Sequence, residues 1–136
     1  MTSDKIMIDS NVLLDVLTED EQWFEWSAAQ ISQCAEHAVL CINPVIYSEV
    51  SIGFTQIEDL EAALSEDDFT RVHLPFEAAF LAGKCFMRYR RAGGLKRSPL
   101  PDFLIGAHAA VDKMSLLTRD CSRYRSYFPG LRLICP

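Results

Sequence analysis

Short apolar runs alternate with longer amphipathic stretches along this chain. The apolar runs suit strands that are buried in a sheet, because most of their side chains are hydrophobic. A further extended segment, with mixed side chains, precedes Pro75. The predicted strands are KIMI (5–8), AVLCIN (38–43), FTRVHL (69–74), SLLT (115–118) and LRLI (131–134).

The stretches between these runs carry apolar side chains at helical spacing. Asn43 is a favourable cap for the third stretch, with Pro44 at its first position. Gly93 and Gly94 end the fifth stretch, and the sixth begins at Asp102. The predicted helices are SNVLLDVL (10–17), 23–36, PVIYSEVSIGF (44–54), QIEDLEAALSEDD (56–68), FEAAFLAGKCFMRYRRA (76–92), a helix from 102 and a short turn from 120.

Strands that alternate with helices predict a parallel sheet with helices on both faces. We therefore expect an α/β sandwich. A chain of 136 residues, 49% of them hydrophobic, is large enough to form it as one domain, residues 1–136. In such sheets, ligands bind beyond the carboxyl ends of the strands, where the strand order reverses.

Three aspartates are predicted at this edge of the sheet. Asp9 directly follows the first strand, and Asp120 follows SLLT after one residue. Asp102 opens a helix that leads into a parallel strand, so its start also lies on the carboxyl side. Each of the three could instead only cap the helix that follows it. Gly106, one turn after Asp102, provides space for close packing against the sheet.

Glu49 lies in or beside the apolar stripe of its predicted helix. Ile46, Glu49, Val50 and Gly53 have the spacing of one helix face. A carboxylate there needs a partner or a cation, unless it reaches water from the edge of the stripe. Four acids directed at one rim indicate a metal site, and four unrelated structural roles are the alternative.

The net charge of −6 makes a wholly basic nucleic-acid surface implausible but leaves room for a local basic groove. One cationic group ends the fifth helix and enters the following loop, and another lies beside Asp120. These side chains could follow a phosphate backbone, or could be solvated charges that suit a helix end. They are Arg88, Arg90, Arg91, Lys96 and Arg97, and Arg119, Arg123 and Arg125.

Five scattered cysteines without a CxxC pair do not resemble a disulfide framework, so we expect buried, reduced thiols. Zinc at Cys34, His37 and Cys41 is not favoured, because no second ligand cluster accompanies them. The start of the sequence does not have the pattern of an export signal, and no stretch has the length and apolar character of a membrane span. We therefore expect a soluble, cytoplasmic protein without a membrane partner.

Four segments, in order, resemble the PIN-domain ribonucleases, and the chain length is similar to that of VapC-type toxins of toxin–antitoxin pairs. The closing segment YFPGLRLI (127–134) also looks like the usual end of that family. The four segments are IDSNVLLDVL (8–17), SEV (48–50), PDFLIGAHA (101–109) and LLTRD (116–120).

This resemblance implies a PIN-like three-layer α/β/α sandwich with a central, mainly parallel sheet. It also implies a metal-dependent endoribonuclease that hydrolyses RNA phosphodiester bonds, leaving 5′-phosphate and 3′-hydroxyl ends. By resemblance, the quartet that holds Mg²⁺ or Mn²⁺ and catalyses the reaction is Asp9, Glu49, Asp102 and Asp120. Ser10, Asn11 and Thr118 match the positions that orient the site.

The resemblance further implies RNA as substrate, inhibition by a small cognate antitoxin, a homodimer and a toxin–antitoxin hetero-oligomer. Trp23, Phe24 and Trp26 are candidates for partner contact, although three aromatic residues at the start of one helix can equally be core. Phe86 or Tyr89 could stack an RNA base or belong to the core.

Three alternatives remain open at this point. An aspartyl-phosphate enzyme or receiver domain also uses strand-end aspartates with Mg²⁺, but the first strand here lacks the second aspartate of the former. No lysine follows a late strand, as it does in receivers. The other two alternatives are a catalytically silent PIN-like binding module and a PIN nuclease of RNA processing outside a toxin–antitoxin pair.

Overall fold

The alternating pattern folds as parallel strands joined by helices. The computed structural model describes residues 4–94 and 99–136. Within them the strands are β1 (Asp4–Ile8), β2 (Ala38–Ile42), β3 (Thr70–Arg71), β4 (Ser115–Leu117) and β5 (Leu133–Ile134). The helices are α1 (Ser10–Leu17), α2 (Phe24–Ala35), α3 (Pro44–Ser51), α4 (Ile57–Ala63), α5 (Phe76–Arg91), α6 (Leu100–Val111) and α7 (Cys121–Tyr127).

The five strands form one sheet in the order β3-β2-β1-β4-β5, and every pairing among the described strands is parallel. The chain builds outward from β1 through β2 to β3, then returns to the other side of β1 for β4. The strand order therefore reverses between β1 and β4, where Ile8 pairs with Leu117. The carboxyl ends of these two strands form the crevice in which ligands of such sheets bind.

The centre of the sheet is apolar on both faces. Met7 and Ile8 of β1 and Leu116 and Leu117 of β4 are fully buried. Adjacent strand residues point to opposite faces, so burial of both members of each pair requires helices on both sides. The predicted three-layer α/β/α sandwich is confirmed, with a sheet that is parallel throughout the described strands.

The first residue of α3 agrees with the prediction from the sequence, and the first residue of α6 differs from it. Asn43 Oδ1 accepts a hydrogen bond from the Ile46 amide at 2.9 Å, with Pro44 in the first turn. The prediction that the sixth helix begins at Asp102 is wrong, because α6 already begins at Leu100 and includes Pro101, whose fixed φ suits a first turn. Asp102 is therefore a first-turn residue, and the alternative that it serves as the helix cap does not apply.

Gly106 provides close packing, but against α7 instead of the sheet. A Cβ atom at this position would lie 2.6 Å from Cε2 of Phe128 and 2.9 Å from Cδ1 of Tyr124. Both aromatic side chains are buried. The missing side chain thus lets α7 approach α6, which places Tyr124 beside the carboxyl end of β1.

The expectation of five reduced thiols is wrong for one pair. Cys121, the first residue of α7, forms a disulfide with Cys135, whose Cα lies 6.2 Å away. Parallel pairing of β5 with β4 brings the segment after β5 back to the start of α7, a proximity that cysteine spacing does not reveal. Cys34, Cys41 and Cys85 are buried free thiols, as predicted.

None of the helices in the described part of the chain combines the length and the apolar character needed to cross a membrane.

Candidate active site

Asp9 lies at the centre of the crevice between β1 and β4. It follows β1 and caps α1, and its Oδ1 accepts a hydrogen bond from the Ser10 amide at 2.8 Å. Its Oδ2 accepts bonds from Thr118 Oγ1 at 2.8 Å and from the Tyr124 hydroxyl at 3.0 Å. Only 2% of the residue is exposed. Capping and a place at the rim are therefore compatible for this acid.

The small polar residues predicted to orient the site connect its acids. Ser10 Oγ donates to Glu49 Oε1 at 2.7 Å, and so joins α1 to α3. Thr118 Oγ1 accepts a bond from the Asp120 amide at 3.0 Å while it donates to Asp9. Asn11 Nδ2 lies 3.4 Å from both Thr118 Oγ1 and Asp9 Oδ2. These contacts fix the backbone and side chains around the crevice.

Burial and mutual repulsion raise the pKa values of three of the four acids. Burial raises the pKa of Asp9 to about 6, with a further contribution from the charge of Asp102, against the hydrogen bonds from Thr118 and Tyr124. Burial also raises the pKa of Glu49, and the charge of Asp102 adds to it, while the Ser10 hydrogen bond opposes it. Asp102 is therefore the acid whose charge acts on both of the others.

Asp102 has a raised pKa for the same first reason, burial, with the charge of Asp120 adding to it. The opposing contribution comes from Arg123, whose Nη1 donates to Asp102 Oδ2 at 2.7 Å. Arg123 was predicted only as an RNA-binding residue. In the structure it is in direct contact with one of the acids.

Tyr124 is a site residue that sequence reasoning missed. Its hydroxyl reaches Asp9, and the ring is 1% exposed. Burial raises the pKa of this phenol well above its usual value, followed by the charges of Asp9 and Asp102, so it stays a hydrogen-bond donor. The available signal was spacing, because Tyr124 lies four residues after Asp120 in the helical turn predicted from residue 120.

The other predicted basic residues lie in different surroundings. Arg119 forms two hydrogen bonds with the buried Asp15, at 2.6 and 3.0 Å, so its position is explained without RNA. The three arginines in the last turn of α5 are exposed, and the described residues of this segment end at Gly94. The exposed residues are Arg88, Arg90 and Arg91, whereas the predicted Lys96 and Arg97 lie outside the described residues.

The aromatic candidates are all half-buried and differ in what they pack against. Trp23, Phe24 and Trp26 are all half-buried, and the two tryptophan rings meet edge to face. Phe86 and Tyr89 pack against the core, and Tyr89 contacts Phe103. Each of these side chains therefore keeps some exposed surface, and packing against the core explains the positions of Trp26, Phe86 and Tyr89.

The chemistry of the acids fits a hard divalent cation. Four carboxylates supply the oxygen ligands that Mg²⁺ and Mn²⁺ prefer, and a cation would relieve both the burial cost and the mutual repulsion. In the arrangement seen here, however, no three Asp, Glu, His or Cys side chains of residues 4–94 and 99–136 are grouped closely enough to hold one ion. Asp102 is engaged by Arg123 and Glu49 by Ser10.

Comparisons with known proteins agree with this architecture. One solved structure with a similar fold is VapBC2 from Rickettsia felis bound to promoter DNA, with TM-score 0.73 and 15% identity; the match covers 96% of this chain and 98% of that one. Another is VapBC-1 from nontypeable Haemophilus influenzae, with TM-score 0.72, 17% identity and coverage of 96% and 97%. A third is DNA-bound VapBC from Salmonella typhimurium, with TM-score 0.69, 17% identity and coverage of 97% and 98%. No curated protein matches the chain.

These likenesses show the fold, and the family assignment rests on the sequence itself. The family model of the PIN domain matches residues 6–125, which contain all four acids and the elements that position them. The chain belongs to the PIN domain family.

Proposed function

We propose that this protein is a metal-dependent endoribonuclease and the toxin of a toxin–antitoxin pair. The observation that carries the proposal is the group of acids at the crevice between β1 and β4, with Asp102 acting electrostatically on Asp9 and Glu49. PIN domains are nucleases, which supports hydrolysis of a nucleic-acid phosphodiester bond. Mg²⁺ or Mn²⁺ would be held by Asp9, Glu49, Asp102 and Asp120.

The chain's own residues orient these carboxylates for such chemistry. When bound, Mg²⁺ or Mn²⁺ lowers the pKa of a water ligand and stabilises negative charge at the phosphodiester. Thr118 and Tyr124 bond Oδ2 of Asp9, and the Ser10 amide bonds its Oδ1. The carboxylate plane is thereby fixed by donors on both oxygens. Ser10 does the same for one oxygen of Glu49.

Asp102→Asn tests the catalytic proposal. We expect loss of Mn²⁺-dependent RNA cleavage, because an amide replaces a carboxylate of the proposed metal site. The melting temperature of the metal-free variant should be unchanged or higher, since the raised pKa of Asp102 shows that ionisation in the folded state is unfavourable. Cleavage is measured on labelled RNA, and melting by circular dichroism.

Asp68 is exposed and precedes β3, at the end of the sheet opposite the carboxyl ends of the strands, and is the matched control. Asp68→Asn makes the same chemical change and should cleave like the parent protein. Metal-dependent cleavage retained by Asp102→Asn would remove Asp102 from the proposed machinery.

The toxin part of the proposal is supported by structural neighbours that are toxin–antitoxin complexes. An exposed apolar face suits contacts with an antitoxin or with a second copy. Phe76 and Phe80, one turn apart on α5, are 90% and 68% exposed.

Expression in a bacterial host separates the toxin from a nuclease of RNA processing. We expect the parent protein to arrest growth and Asp102→Asn to be tolerated. Co-expression of a short neighbouring reading frame that encodes a DNA-binding protein should restore growth. Normal growth together with RNA cleavage in vitro would favour RNA processing instead.

A catalytically silent PIN-like module is the second candidate. It is favoured by the observation that no three potential ligands among the described residues are grouped around one point. Mn²⁺-dependent cleavage by the parent protein that disappears in Asp102→Asn would exclude it.

A further inference from the structure

Arg123 is a cation in direct contact with one of the acids of the proposed site. It lies on α7, three residues after Asp120 and directly before Tyr124, whose hydroxyl bonds Asp9. Its Nη1 bonds Oδ2 of Asp102 at 2.7 Å. Asp102 is also the acid whose charge reaches Asp9 and Glu49. The guanidinium thus pairs with the acid whose charge acts on Asp9 and Glu49.

The contact between Arg123 and Asp102 is suited to exchange of partners. The two side chains are 35% and 31% exposed, so water competes for both. A guanidinium has five N–H donors, and among the described residues only one nitrogen of Arg123 bonds a side chain. Donors therefore remain for a second, incoming acceptor in front of the acids.

Arg119 provides the contrast within the same chain. It uses two nitrogens on one carboxylate, and its partner Asp15 is 3% exposed. It also stacks over the ring of Trp23, with 5.2 Å between the guanidinium carbon and the ring centroid. Arg119 is thus fixed by packing and by a buried partner, whereas Arg123 has neither constraint.

We propose that Arg123 is an exchangeable counter-ion that releases Asp102 when a divalent cation binds and then bonds a phosphate oxygen of the RNA. This inference rests on the proposed function. A metal ion and a guanidinium compete for the same carboxylate, because each needs the lone pairs of Asp102. Once released, the guanidinium fork matches the geometry of a phosphodiester, which presents two unesterified oxygens.

If the metal ion and Arg123 compete for Asp102, substitution of Arg123 should have opposite effects on binding of the metal ion and binding of the RNA. Removal of the positive charge strengthens binding of the metal, since Asp102 no longer has to leave a partner. The same change weakens binding of the RNA phosphate. A purely structural role, in which Arg123 only ties α7 to α6, would weaken both because the acids would lose their positions.

Arg123→Gln in the full chain tests the competition. We expect calorimetric titration with Mn²⁺ to show about fivefold tighter binding than in the parent protein, the order expected for one unit charge at ion-pair distance in water. At saturating Mn²⁺, we expect KM for a short RNA to rise about tenfold, as expected when one charged hydrogen-bonding contact is lost.

Two further variants make the result specific. Arg132→Gln changes the charge equally on an exposed residue that precedes β5, and should bind Mn²⁺ and RNA like the parent. Arg123→Lys keeps the charge but loses the fork, so its Mn²⁺ affinity should stay near the parent value while KM rises.

The outcomes separate the two proposals. If the parent protein binds Mn²⁺ and cleaves RNA, but Arg123→Gln binds Mn²⁺ equally or more weakly, the exchange is wrong and the nuclease proposal stands. If the parent protein binds no Mn²⁺, both are overturned. A large drop in the melting temperature of Arg123→Gln, with unimproved Mn²⁺ binding, would show that the arginine is structural.

Discussion

Asp9 is a buried carboxylate whose charge is stabilised by hydroxyl and amide groups instead of a basic side chain. Thr118 and Tyr124 donate to one oxygen and the Ser10 amide to the other. These bonds do not offset burial completely, because the pKa still rises to about 6. The residue is therefore held in a fixed orientation at a cost in stability, which is typical of groups that serve a ligand.

The raised pKa of Asp9 makes stability depend on pH. The folded protein binds the Asp9 proton more tightly than the unfolded chain, so this group's contribution to the unfolding free energy falls as pH rises from about 4 to 6. From a pKa of 3.8 unfolded and about 6 folded, the contribution falls by about 1 kcal/mol between pH 5 and pH 7.5.

Urea unfolding of metal-free protein and of Asp9→Asn at both pH values measures this effect. The variant has no carboxyl group at position 9 that could titrate. We therefore expect its unfolding free energy relative to the parent to increase by about 1 kcal/mol from pH 5 to pH 7.5. The comparison is needed because burial lowers the pKa of His108, which acts in the opposite direction with pH. A stability difference between the variant and the parent that does not change with pH would contradict the raised pKa of Asp9.

Helix α7 is the element that completes the site. It follows β4 directly, carries Arg123 to Asp102 and carries Tyr124 to Asp9. Its seven residues are too few for a helix that is stable by itself, so its position depends on tertiary contacts. The close approach at Gly106 and the disulfide from Cys121 supply them.

Gly106→Ala tests the approach of α7 to α6. The new Cβ would lie 2.6 Å from the buried ring of Phe128, and a ring cannot yield as a flexible side chain does. We expect a loss of about 1–3 kcal/mol in the unfolding free energy, the usual cost of overpacking, although alanine favours a helix. Chemical denaturation measures this change.

Gly83→Ala in α5 is the matched control. A Cβ there meets no atom within 4 Å, so the same substitution should stabilise by about 0.5–1 kcal/mol through helix propensity alone. Equal effects of the two substitutions would mean that Gly106 does not limit the approach of α7.

At the scale of the whole molecule, the sequence was sufficient to predict which residues lie together wherever a rule of sheet topology applies. Asp9 and Thr118 follow neighbouring parallel strands, and the carboxyl-edge rule brings them together without any knowledge of packing. The ion pair of Arg123 with Asp102 could not be predicted in this way. Which of several arginines meets which acid depends on how α6 and α7 pack, and periodicity does not encode that choice.

The same limit explains the other differences. The disulfide of Cys121 with Cys135 depends on where β5 joins the sheet, and the earlier start of α6 depends on prolines that fit a first helical turn. Phe76 is the apolar first residue of α5, yet it is 90% exposed. Local pattern identifies the apolar residues, and only tertiary structure shows which of them remain without a partner.

The central pairing of β1 with β4 also has a consequence for synthesis. The bonds of Asp9 to Thr118 and Tyr124 span 109 and 115 residues. A ribosome releases Asp9 before its partners exist, so the acid has neither its hydroxyl donors nor the neighbouring strand while the residues up to Thr118 and Tyr124 are being made. The site therefore stays incomplete in a growing polypeptide until α7 has emerged.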